Sequence, residues 1–153
     1  MSIYWLLPIF MSLHITEEFG FPGGFKKWYQ DYKPDLKASM TDSYFFWVNA
    51  ILLIAAIMMG ITTDGGFWGL RGWLVFTASL GFNAIFHIVG AIKTKKYSPG
   101  LVTSALLYLP LTVGGFTYFI SNGSIGIFWA IFCLLLAPLA QYLFDLYHNK
   151  ASQ

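Results

Sequence analysis

The chain has 153 residues, of which 57% are hydrophobic, 20% aromatic and only 10% charged, where a soluble domain carries about 25% charged residues. So little charge cannot cover a water-exposed surface, which excludes a nucleic-acid binder and an enzyme built on a sizeable soluble domain; the formal net charge of +2 is too small to mark an anionic partner. One cysteine, Cys133, in an apolar run excludes a disulfide scaffold and reads as a packing residue.

Residues 1–13 carry no Lys or Arg and no small-residue cleavage site, so residues 2–20 read as a retained first span and not as a signal peptide. Residues 21–42 mix glycines, aromatic rings and four lysines. They read either as an interfacial lid over a site or as a surface-lying connector whose lysines set topology. Residues 43–62 and 71–92 are the second and third spans. Between Lys96 and Asp145 lie 48 consecutive residues without a charge, too many for one crossing of about 20 residues. The turn formers Ser121-Asn122-Gly123-Ser124 divide this run into spans 101–120 and 125–147. Pro110 and Pro138 fall inside these two and are expected to kink them. The expected fold is all-α, a single polytopic bundle over residues 1–153 with five transmembrane helices.

Five spans make the loops alternate between two sides. Lys26, Lys27, Lys33, Lys37, Lys93, Lys95, Lys96 and Lys150 then share one side and Arg71 stands alone on the other. This asymmetry places the Lys-rich side and the C-terminus in the cytoplasm and the N-terminus outside, as a multi-pass protein of the cell membrane.

The informative residues are the polar ones left at membrane depth, where a charged group costs about 2.5 to 3.5 kcal/mol. His14 and Glu18 are one helical turn apart on nearly the same face, with Glu17 on the flank; Asn83 and His87 repeat the i, i+4 spacing on the third span. His14 and His87 both lie roughly 8 to 9 Å from the Lys-rich ends of their helices, so they are expected to meet. Asn49 and Thr103 lie at a comparable level. Gln141, Asp145 and His148 form a further stripe at the end of the last span.

Three short patterns carry a resemblance. His14-Ile15-Thr16-Glu17-Glu18 reads H-x-x-E-E, Asn83 to His87 reads N-x-x-x-H, and Pro99-Gly100-Leu101-Val102-Thr103 reads P-G-x-x-T. In this order they resemble the HXXEE-domain family of small integral membrane proteins, which has no assigned reaction. The resemblance implies that His14, Glu17, Glu18, Asn83 and His87 form that family's active site.

The chemistry of the residues suggests a divalent-metal centre, since neutral imidazole and carboxylate suit zinc or ferrous iron. His14, Glu18 and His87 are the expected ligands, Glu17 a general base or fourth ligand, and Asn83 a catalytic or substrate-orienting amide. Asn49 and Thr103 are expected substrate contacts. The expected activity is metal-assisted hydrolysis, or related chemistry, on a lipid-soluble or amphipathic small molecule. A metal-free acid/base isomerase and a lipid- or proton-handling protein without catalysis are the alternatives. An open pocket holding His14, Glu17, Glu18 and His87, continuing toward the Lys-rich side or between helices at that depth, is expected in either enzymatic case.

Overall fold

A computed structural model describes residues 2–62 and 67–151, with their side chains except at 67–68, 140–141 and 143–151. The described residues form helices and turns, with no strand among them. The first pass joins a 3-10 turn (Ile3–Trp5), helix α1 (Leu6–Ile15) and a π-helical turn (Thr16–Gly20). A short helix α2 (Phe25–Tyr32) and a 3-10 turn (Pro34–Leu36) lead into α3 (Asp42–Thr62), followed by α4 (Phe67–Thr94). Helix α5 (Leu101–Ser121) contains a second π-helical turn (Ser104–Tyr108), and α6 is Ile127–Ala151.

Side-chain contacts show that the passes run alternately between two ends. At one end Tyr4 meets Trp73 and Phe119 with ring centroids 5.7 and 5.8 Å apart, and Arg71 lies over the Trp129 ring. The start of the first pass, the start of α4, the end of α5 and the start of α6 therefore lie together. At the other end His14 meets His87 and Thr103, and Phe19 meets Phe45. Three helices are long and apolar enough to cross a membrane by themselves: Asp42–Thr62, Gly69–Thr94 and Leu101–Ser121. The first pass is interrupted by its two turns, and the last is apolar over Ile127–Leu139. Against the expected five spans, three helices are thus long and apolar enough to cross a membrane by themselves, and the first and last passes fall short of that length among the described residues.

Helix α4 is the centre of the bundle. Trp73, Leu74, Thr77 and Ala84 are buried along it, between α5 and α6. Small residues allow that closeness: Gly81 faces Thr112, whose hydroxyl donates to the Thr77 carbonyl at 2.7 Å. Helix α3 has the opposite character, with Ile51, Ile54 and Ile61 about 60% exposed, the apolar exterior that lipid accepts and water does not. The loop after the first pass is no loose connector. In α2 the apolar positions fall on one face, so Phe25, Trp28 and Tyr29 are buried against Phe45 and Phe86 while Lys27 stays exposed.

Candidate metal centre

The first pass changes winding where the motif lies. Thr16–Gly20 is a π-helical turn, with the Phe21 N–H bonded to the Thr16 carbonyl at 2.8 Å. Such wide turns recur at functional sites. Here it turns two successive carboxylates into the bundle, leaving Glu17 and Glu18 only 6% and 4% exposed.

Glu18 stands between the two imidazoles. Its Oε1 is 3.3 Å from the Nε2 of His14 and 3.3 Å from the Nε2 of His87. Ligand atoms of the three residues all lie within 4.8 Å of one another, and all three residues are buried. Each histidine uses its other nitrogen to hold its orientation: His14 Nδ1 meets Thr103 Oγ1 at 2.9 Å, and His87 Nδ1 meets Ser98 Oγ at 2.8 Å. The Thr103 hydroxyl donates its one proton to Glu17 Oε2, which as a carboxylate only accepts. It must therefore accept from His14 Nδ1–H, which leaves Nε2 as the ring atom facing Glu18. His87 Nε2 is buried without a hydrogen-bond partner, although such atoms nearly always have one. It is an orphaned donor or ligand atom facing a carboxylate.

Glu17 is occupied elsewhere. Oε1 accepts from the Val102 N–H at 3.0 Å and from the Tyr97 hydroxyl; Oε2 accepts from the Thr103 N–H at 2.7 Å and the Thr103 hydroxyl. Hydrogen bonds to a charged group are worth roughly 1.5 to 3 kcal/mol each, so four of them offset the cost of keeping this carboxylate in place. The start of α5, with unpaired N–H groups and a positive dipole end, is a natural seat for it. Tyr97 lies outside the spanning helices; its ring edge is exposed while its hydroxyl turns in to Glu17. Burial, then the hydrogen bond and charge of Glu17, push its hydroxyl up to about 12, so it is a proton donor throughout the neutral range.

Gly100 closes the site. Its φ is +95°, and a Cβ there would lie 2.7 Å from the Cε1 of both His14 and His87 and 3.0 Å from the Cγ of Glu18. Only glycine gives this turn without a side chain driven into His14, His87 and Glu18.

One family model matches, described as a protein of unknown function with HXXEE motif, over residues 5–114. The chain belongs to this family. No curated protein and no solved structure matches it.

In this HXXEE protein the P-G-x-x-T pattern is thus the backing of the H-x-x-E-E pattern, through Glu17, Gly100 and Thr103. Thr103 adjoins His14 and Glu17, as its depth implied. Asn49 does not join the trio: its Nδ2 donates to the Phe45 carbonyl at 3.0 Å, and it lines a groove between α1 and α3. Asn83 has a buried Oδ1 without a partner, one turn before His87. Side chains of Gln141, Asp145 and His148 lie outside the described residues.

The expected open pocket is replaced by a covered site. Phe25 and Trp28 of α2 lie over His87 with ring centroids 5.5 and 6.0 Å away, and Tyr108 lies 4.6 Å from His14. Two surface cavities are lined by other residues, one near Arg71 and one beside Asn49. Ser98, Tyr97, Gly100, Phe25 and Trp28 were not singled out from sequence as site residues. The serine and glycine flanking Pro99 were the available signal, because a Ser-Pro-Gly turn before a helix places its polar groups at that helix start.

Proposed function

We propose that this protein crosses the membrane five times and holds a divalent metal, zinc or ferrous iron, on His14, Glu18 and His87. The observation that carries the reading is the convergence of both Nε2 atoms on one Glu18 oxygen, at 3.3 Å each. Three features fit a cation there: the orphaned His87 Nε2, the Nδ1 contacts that aim both rings, and the glycine that keeps the space clear. A three-residue His₂Glu set leaves a coordination position open, and a metal so held supplies Lewis-acid polarisation and an activated water.

The reaction we infer is hydrolysis, or related chemistry, on an amphipathic or lipid-soluble small molecule at the Lys-rich, cytoplasmic leaflet. In this reading Glu17 is a positioning residue, because four donors already occupy its oxygens. Asn83, with its unpartnered amide oxygen, is the residue assigned to substrate. The Lys-rich loops favour a substrate with an anionic or polar head.

The test is elemental analysis of the purified protein. About one zinc or iron per chain is expected, falling severalfold in His14→Ala, Glu18→Ala and His87→Ala. Absence of stoichiometric metal in wild type would reject the metal reading. It would favour the second reading, a metal-free acid/base site, which the sharing of one carboxylate oxygen between two imidazoles also supports.

A further inference from the structure

A groove of about 420 Å³ runs between the motif segment and α3, lined by Ile15, Phe19, Phe45, Asn49, Ala50 and Leu53. That volume is in the range of small-molecule sites. We propose that it is the subsite for the hydrocarbon chain of a single-chain amphiphile bearing a hydroxyl, and that the Phe19, Phe25 and Phe45 rings are the gate between this chain and the buried trio. The proposal rests on the functional reading above and names the class of substrate for it.

Two of the groove's walls are the residues directly after His14 and Glu18, so the segment that builds the trio also builds the groove on its neighbouring face. The groove lies on the apolar exterior of α3, where Phe46 is 64% exposed, and is therefore entered from the side by a lipid-soluble molecule. Its lining residues Asp42 and Leu53 are eleven positions apart, about 16 Å along a helix.

Asn49 distinguishes this groove from an ordinary lipid-facing crevice. It lies about 10 Å below Asp42 by the same rise. Its Nδ2 donates one proton to the Phe45 carbonyl, which leaves Oδ1 and the second Nδ2–H available in a trough whose other polar wall is Asp42. Polar groups at membrane depth serve a partner by default, and an acceptor beside a donor suits a hydroxyl, which is both. From the groove inward, Phe19, Phe25 and Phe45 touch one another with centroids 5.6 to 5.8 Å apart, and Phe25 alone of the three reaches His87, at 5.5 Å. Phe19 and Phe45 line the groove and Phe25 bridges them to His87, so displacement of this ring cluster would connect groove and trio. Two neighbouring glycines at the helix start beside Phe25, Gly23 and Gly24, have φ of +71° and +90°, where the chain carries no side chain that resists a change of angle.

The experiment is photolabelling of the full chain in phosphatidylcholine nanodiscs with a long-chain fatty alcohol carrying a diazirine near its tail, read by peptide mass spectrometry. Saturable adducts within residues 15–19 and 45–53 are expected, lost in Ala50→Trp, which fills the trough. Asn49→Leu should raise the half-saturating concentration roughly threefold to tenfold, the effect of one hydrogen bond, and raise that of the matching methyl ether less, because an ether only accepts. Labelling should persist in His87→Ala, so that loss of the metal reading leaves the groove reading standing or falling by itself. Adducts spread without saturation over Ile54, Ile61 and the other lipid-facing residues, or an Asn49→Leu effect equal for alcohol and ether, would overturn the proposal.

Discussion

Glu17 and Glu18 are adjacent and chemically identical, yet their partners give them different work. Glu18 meets two imidazoles, whereas Glu17 meets two backbone N–H groups and two hydroxyls from the 97–103 segment. Glu17→Gln keeps the shape but loses charge and acceptor capacity, so we expect metal affinity to fall roughly tenfold or more, as for partners behind metal ligands generally, with no change in metal stoichiometry at saturation. Competition titration with a chelating dye checks this, and unchanged affinity would remove Glu17 from its anchoring role. Gly100→Ala places a methyl group 2.7 Å from both rings and strains a φ of +95°; a loss of about 1 to 3 kcal/mol of stability is expected, with weaker metal binding, although residue 100 donates no ligand atom. Thermal unfolding with and without metal measures both.

Tyr97 gives a pH prediction. Its folded-state value, pushed up to about 12, exceeds the ordinary 10.0, so its contribution to stability is fully present below about pH 10 and is lost as pH rises through 12. Wild type and Tyr97→Phe should therefore differ in stability at neutral pH and converge in strong alkali. A difference that persists unchanged at high pH would count against the Tyr97–Glu17 hydrogen bond. At this scale the three metal candidates were legible because i, i+4 spacing and depth are both sequence quantities. The anchoring of Glu17 was not, since half its donors are backbone N–H groups that no residue identity announces.

Among the elements, α2 carries the least expected role. Its lysines and aromatic rings were equally compatible with a connector lying on the membrane surface. Its packing is close: Trp28 occupies a notch that exists because residue 90 is glycine, where a Cβ would lie 2.6 Å from the indole, and the same ring stacks near His87. Trp28→Ala should cost about 3 kcal/mol or more, the range for a buried tryptophan, and should speed metal exchange by exposing the centre. Metal release measured by stopped flow in the variant would show an unchanged rate if α2 were only a connector. The π-helical turns were likewise invisible in the sequence, because no residue type announces an i→i+5 backbone bond.

For the whole molecule, sequence arithmetic fixed level along a helix but not direction around it. That is why His14, His87 and Thr103 met as expected while Asn49, at the same level, faces the α1–α3 groove. The passes alternate between two ends, and in the proposed five-crossing reading the Lys-rich motif end is the cytoplasmic one. A cysteine at Ser124 should then react with an impermeant maleimide from outside, and one at Lys95 only after permeabilisation; Cys133, 1% exposed, should remain unreactive. The opposite labelling pattern would reverse the orientation and the choice of leaflet.

The central claim is that two imidazoles and one carboxylate hold one metal ion. X-ray absorption spectroscopy at the metal edge tests it most directly. A first shell of nitrogen and oxygen at about 2.0 to 2.2 Å is expected, with the outer-shell signature of two imidazoles reduced to one in His87→Ala. A shell of oxygens alone, or a spectrum the same in wild type and His87→Ala, would contradict it.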